Sequence, residues 1–159
     1  MITLQQLSTT TGKLLGVDFG DKRTGLSVSN ETRTLASGIG QVTGGGMQSM
    51  AEEVARVALE RRVAAVVVGL PVNMDGSHGP RAEHAEKFAG LVERNLNGAV
   101  PVAMLDERMT TMAASRYLNE TDTRGSKRKG VIDTLSAEII LQNALDKLAY
   151  LKKTTQGGN

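Results

Sequence analysis

The chain of 159 residues has no cysteine and no tryptophan, and only two histidines, two phenylalanines, two tyrosines and three prolines. Without cysteine there is no disulfide framework, no zinc–thiolate centre and no thiol nucleophile. So few aromatic rings leave little material for a platform on which splayed bases could stack. No apolar run approaches the ~20 residues needed to span a bilayer. Residues 1–13 are polar and threonine-rich and lack the apolar core of a secretory signal. The expectation is a soluble, cytoplasmic protein without membrane contact. A net charge of +2 is too small to argue for nucleic-acid binding, so that argument rests on where basic residues cluster.

What is present is organised around Leu14 to Ser29. This stretch reads as two strands joined by a tight, charged turn. The first, Leu14 to Asp18, is apolar on both faces until it meets a carboxylate, as a strand inside a helix-covered sheet would be. A carboxylate there costs free energy unless a cation or several donors meet it. Gly16 and Gly20 bracket it, and glycine beside a strand marks close approach of a ligand or another backbone. Asp18 therefore either awaits a metal or a phosphate-bearing ligand, or caps the next turn through its own side chain.

A third strand over Leu35 to Val42 ends in Thr43-Gly44-Gly45-Gly46, which lacks the Gly-Lys-Ser/Thr of a phosphate loop. Met47 to Arg61 repeats apolar residues at helical spacing. Ala64 to Val68 reads as a buried parallel strand ending at Gly69-Leu70-Pro71, and residues 72–80 as a loop rich in turn formers. A helix opens at Pro80 or Arg81 and stops at Asn97-Gly98. Val100 to Leu105 is a further strand, Met112 to Leu118 a helix, Asn119 to Lys129 a basic loop, and Val131 to Leu151 the last helix. The order predicts an α/β fold: a five-stranded mixed sheet with helices on both faces. It forms one domain over residues 14–151, with flexible termini at 1–13 and 152–159.

Open α/β sheets bind ligands outside the carboxyl ends of their parallel strands. Asp18 ends one strand, Asp106 and Glu107 end another, and Asp133 opens the last helix. The face of Asp133 continues through Ala137, Ile140, Ala144 and Leu148, so Asp133 begins an apolar stripe turned toward the sheet. A carboxylate in a first helical turn also suits the helix dipole alone. Converging carboxylates make a hard-oxygen site suited to magnesium or manganese rather than zinc. Such a site suits attack of water on a phosphodiester. Lys22 and Arg23 in the turn, Arg108 beside Glu107, and Arg124, Lys127, Arg128 and Lys129 in the loop would hold the polyanionic backbone; taken alone, the loop is more commonly a solvated run of charge. His78 and His84, six residues apart, share no helical face and read as surface or capping residues.

The ordered set Gly16-Val17-Asp18-Phe19-Gly20-x-Lys22-Arg23-x-Gly25, Val68-Gly69-Leu70-Pro71-x-Asn73-Met74-x-Gly76, Gly79-Pro80-Arg81-Ala82, Asp106-Glu107-Arg108-Met109-Thr110-Thr111, Lys127-Arg128-Lys129 and Ile132-Asp133 resembles the YqgF (RuvX-type) family of bacterial resolvase-like nucleases. The resemblance covers most of residues 14–150. It implies an RNase H-like fold and a metal-dependent nuclease. The family's substrate would be the precursor of small-subunit (16S) ribosomal RNA, cut during ribosome biogenesis, or else a Holliday junction. It also implies Asp18, Glu107 (with Asp106) and Asp133 as catalytic carboxylates. The chain departs from the pattern at Asn30 and Ser136. The strand that carries an acid in the wider resolvase group ends here in Gly69-Leu70-Pro71. With RNase H-like strand order, Asp106 and Glu107 lie two strands from Asp18, roughly 9–10 Å between backbones; Glu107 has the longer reach.

Two other classes fit parts of the sequence. Asp-x-Gly followed by Thr-x-Gly also resembles the phosphate hairpin of actin-like ATPases, but those need a second domain and a second hairpin. A protein on the same fold that binds RNA or the ribosome without cutting would have no use for converging acids, which repel phosphate. Monomer and homodimer are both open, and a dimer would suit a symmetric four-way junction.

Overall fold

The computed structural model describes residues 1–108 and the helix over residues 129–157, with side chains for 1–108 and 134–154. The expected helix over Met112 to Leu118, and Arg124, Lys127 and Arg128 of the basic loop, lie outside the described residues. So do the side chains of Lys129 and Asp133.

The elements in chain order are α1 (Leu4–Leu7), β1 (Leu14–Asp18), β2 (Arg23–Ser29), β3 (Ala36–Thr43), α2 (Gly46–Glu60), β4 (Ala65–Leu70), α3 (Pro80–Leu96), β5 (Val102–Asp106) and, as α4, the long helix Lys129–Gly157. The strands form one mixed sheet in the order β3-β2-β1-β4-β5. β1, β2 and β3 run antiparallel as hairpins, while β4 and β5 lie parallel to β1. The connection from β4 to its parallel neighbour β5 runs through α3, as a parallel pairing requires.

Strand alternation sorts the core into two layers. On one face Leu15, Val17, Val66, Val68 and Val102 pack against α2 and α3. On the other, Leu14, Ala65, Val67, Ala103 and Leu105 pack against α4. The helical stripe expected from the sequence is buried there: Ala137, Ile140, Ala144 and Leu148 are at most 4% exposed. Gly16 lets α4 approach β1, because a Cβ on it would come within 2.7 Å of the Leu141 Cβ and 3.2 Å of the Ala137 carbonyl oxygen. The neighbouring Ser27 hydroxyl donates to that same carbonyl at 2.7 Å. The close approach that the sequence signals at Gly16 is thus helix packing, not a ligand.

Within residues 1–13, read from the sequence as a flexible terminus, Leu4–Leu7 form α1. Thr3 and Gln6 form a capping box around α1, a sequence-legible device on a helix too short to show periodicity. Leu7 is fully buried against the α4 layer. The Ile2 amide donates to the Val102 carbonyl at 2.9 Å, covering the outer edge of β5. At the opposite edge, Gln142 and Glu138 of α4 accept from the Ala36 and Gly38 amides at 3.1 and 2.7 Å. Both edges are therefore blunted against pairing with another chain. At the other end of the chain, α4 extends past the expected end at Leu151 to Gly157. Among the described residues no helix is long and apolar enough to cross a membrane.

Candidate active site

Three parallel strands end on one rim of the sheet, and the residues there follow from their alternation. Leu14 and Gly16 face α4, so Asp18 continues that face at the end of β1. Ala65 and Val67 face α4, so Gly69 does so on β4. Ala103 and Leu105 face α4, so Glu107, one step past β5, does so too. The Glu107 amide still donates to the Leu70 carbonyl at 3.0 Å, which carries the β4–β5 register to this point. A Cβ on Gly69 would stand 3.3 Å from the Glu107 carboxyl carbon and 2.6 Å from Ile140 Cδ1. The missing side chain on the intervening strand is what admits both.

Asp18 and Glu107 thereby share a cavity of about 170 Å³ with Gly20, Asp21, Arg81 and His84. Phe19 forms part of the wall and stacks on Phe88 of α3 with ring centroids 4.5 Å apart. The chain's two phenylalanines are thus spent on each other. The Glu107 carboxyl is raised above its ordinary range, first by burial and then by the negative charge of Asp18, while Arg81 pulls the other way. Two acids that resist joint ionisation, both offering oxygen donors, suit a hard divalent cation. Among the described residues no three acidic or histidine side chains cluster closely enough to enclose a metal. Asp133 stands on α4 one turn before the buried Ala137, on the helix that covers this face.

Asp106 has the opposite parity and a different partner. Arg108 donates from Nε to both of its carboxylate oxygens at 3.1 Å and from Nη2 at 2.7 Å. The Arg108 amide adds a bond at 2.9 Å. This fork holds the Asp106 carboxyl below its ordinary range. Arg108 Nη1 also reaches the Met74 carbonyl at 3.4 Å, tying the end of β5 to the 71–79 loop. In that loop the Asp75 carboxylate accepts from the amide and hydroxyl of Ser77 at 2.9 and 2.6 Å, a closed Asx turn.

Lys22 is exposed in the β1–β2 turn and Arg23 opens β2. His84 lines the cavity wall with its Nδ1 3.9 Å from the Asp21 carboxylate, and His78 pairs with Glu86. Arg81 is the residue that sequence reasoning left out of the site. A signal was available: Pro80 at the first helical position places Arg81 in the first turn of α3, the end that faces the carboxyl rim in a β–loop–α unit.

Comparison with known proteins finds a family and relatives for the chain. The sequence profile of the family described as "RuvX: Holliday junction resolvase" matches residues 12–147. A Bradyrhizobium sp. (strain ORS 278) protein named "Putative pre-16S rRNA nuclease" is 42% identical over 147 residues, 91% of this chain and 89% of the relative. One of the same name from Heliobacterium modesticaldum is 40% identical over 144 residues, 91% and 95% of the two chains. Among solved structures, Thermus thermophilus RuvC in complex with a Holliday junction substrate superposes with a TM-score of 0.56 at 17% identity, covering 86% of this chain and 94% of that one. At that identity the likeness concerns the fold, which is that of the RuvC-like RNase H group.

Proposed function

This chain belongs to the RuvX (YqgF) family, and we propose that it is a nuclease hydrolysing phosphodiester bonds of nucleic acid at the Asp18–Glu107 cavity. The observation that carries the reading is the convergence of those two acids on the α4 face across a strand whose end is glycine. Acids gathered beside a polyanionic substrate repel it unless a cation intervenes, so their convergence favours chemistry over binding. Asp18 and Glu107, with Asp133 from α4, would hold magnesium or manganese. That ion would supply Lewis-acid stabilisation of the phosphoryl oxygens and an activated water. The protein's own contribution is positional. β1 and β5 are rigid, buried strands, and the Glu107 amide bond to Leu70 fixes the turn that presents its carboxylate. Asp106 serves by fixing Arg108 rather than as a ligand.

The substrate we infer is precursor 16S ribosomal RNA, the activity in the names of relatives at about 40% identity over nine-tenths of the chain. Lys22, Arg23, Arg124, Lys127, Arg128 and Lys129 would follow its backbone, in a cytoplasmic setting and in contact with the assembling ribosomal particle. The family description as a resolvase supports a second reading, cleavage of a four-way DNA junction; that substrate would require two sites and hence a homodimer. The test is cleavage of end-labelled precursor RNA, single-stranded RNA and a four-way junction with magnesium or manganese, beside Asp18→Asn and chelated controls. Metal-dependent cutting lost in Asp18→Asn is expected, and the preferred substrate separates the two readings. Binding without cutting of every substrate by folded, metal-supplied protein would overturn the nuclease in favour of a binding protein.

A further inference from the structure

Arg81 lines the carboxylate cavity and Arg108 the hollow beside it, and their surroundings differ. The Arg108 guanidinium is already matched to an anion: Asp106 takes its Nε and Nη2, and the Met74 carbonyl lies at its Nη1. To hold a phosphate it would have to surrender a carboxylate of the same charge, with little net gain in attraction. Arg81 makes no hydrogen bond and no ion pair among the described residues, although its charge is felt at Glu107. It lines the cavity that holds Asp18 and Glu107 and also a second hollow. That hollow runs from Glu107 along Pro71, Asn73 and Met74 to Arg108. A solitary guanidinium facing two carboxylates without closing on either leaves a gap between opposite charges. A cavity of about 170 Å³ has room there for a tetrahedral phosphate group, since a water occupies roughly 30 Å³.

We propose that Arg81, and not Arg108, is the arginine that contacts the phosphate held at the Asp18–Glu107 carboxylates. The assignment rests on the nuclease reading above and deepens it. A planar fork suits two oxygens of one phosphate, and its charge lies where negative charge grows during attack at phosphorus. Arg108 is by contrast a positioning residue. It joins the turn bearing Glu107 to the loop that forms the wall of the second hollow, and its charge is neutralised within the protein.

The experiment measures binding rather than cleavage, in the Asp18→Asn background with chelator present. The probes are a fluorescein-labelled four-way DNA junction and a fluorescein-labelled single-stranded RNA, titrated over a range of potassium chloride. Removing a phosphate contact lowers the slope of log affinity against log salt by about one. Arg81→Gln is expected to lower the slope by about one and Arg108→Gln to leave it unchanged. Arg81→Lys keeps the charge and should keep the slope. With Asp18 restored, Arg81→Lys should lose on the order of tenfold or more in kcat through loss of the fork. An unchanged slope in Arg81→Gln, or a drop of one in Arg108→Gln, overturns the assignment while leaving the nuclease reading standing. Failure of the Asp18→Asn protein to bind either probe at low salt overturns both.

Discussion

A Cβ placed on Gly69 would stand 3.3 Å from the carboxyl carbon of Glu107, so the bare end of β4 gives that carboxylate its place. The same Cβ would meet Ile140 Cδ1 at 2.6 Å. Gly69→Ala should therefore destabilise by about 1–3 kcal/mol through overpacking and lower cleavage by displacing Glu107. Adding Ile140→Val removes Cδ1 and should restore most of the stability in a denaturant melt. Activity should stay depressed, because the Glu107 contact persists. Recovery of activity together with stability would show that Gly69 serves packing alone.

Glu107 also sets a pH dependence in the metal-free protein. Its folded-state pKa is raised by burial and by Asp18, so its ionised form costs stability above that pKa. The cost disappears as pH falls to the unfolded value, about 4.3. In chelator, Glu107→Gln should melt higher than the wild type at pH 7, and the two curves should converge near pH 4. Cleavage should fall at least about a hundredfold at every pH, a loss typical of removing one charge-stabilising group. A variant no more stable than wild type at neutral pH would contradict a Glu107 carboxyl raised by burial and by Asp18.

The contact between α4 and β1 leaves no space at residue 16. In Gly16→Ala the new methyl would lie 2.4 Å from Ser27 Oγ and 2.7 Å from Leu141 Cβ. We expect a loss of about 3 kcal/mol. Ser27→Ala, which removes the 2.7 Å bond to the Ala137 carbonyl, should cost about 1–2 kcal/mol. Chemical denaturation of both variants checks the order, and an equal effect would place the tight contact elsewhere.

The N-terminal segment is a clip on the outer edge of the sheet, remote from the cavity. Leu7→Ala should lower stability by about 2–3 kcal/mol, as for a fully buried leucine, without changing kcat at a temperature where the variant is folded. An unaltered melting point would mean that residues 1–13 do not pack on the domain in solution.

Local patterns made much of this protein legible before any coordinates. The apolar runs at 14–18, 64–68 and 100–105, and the helical periods after Met47, Pro80 and Val131, depend on neighbours along the chain. They carried the five-stranded mixed sheet and the buried stripe of α4, with strand boundaries shifted by one or two residues. The acids at the strand ends were equally visible, because Asp18 interrupts an apolar strand and Asp106-Glu107 closes another. Even the single-turn α1 had its capping box written in Thr3 and Gln6. Tertiary structure decided what depends on distance between separate elements. Parity across three strands set Glu107 beside Asp18 and turned Asp106 toward Arg108. The first turn of α3 brought Arg81 to the carboxylates, and Gly69 became a space rather than a turn. None of these has a period in the sequence, since each arises where side chains from different strands and helices meet at one rim and burial and charge act together.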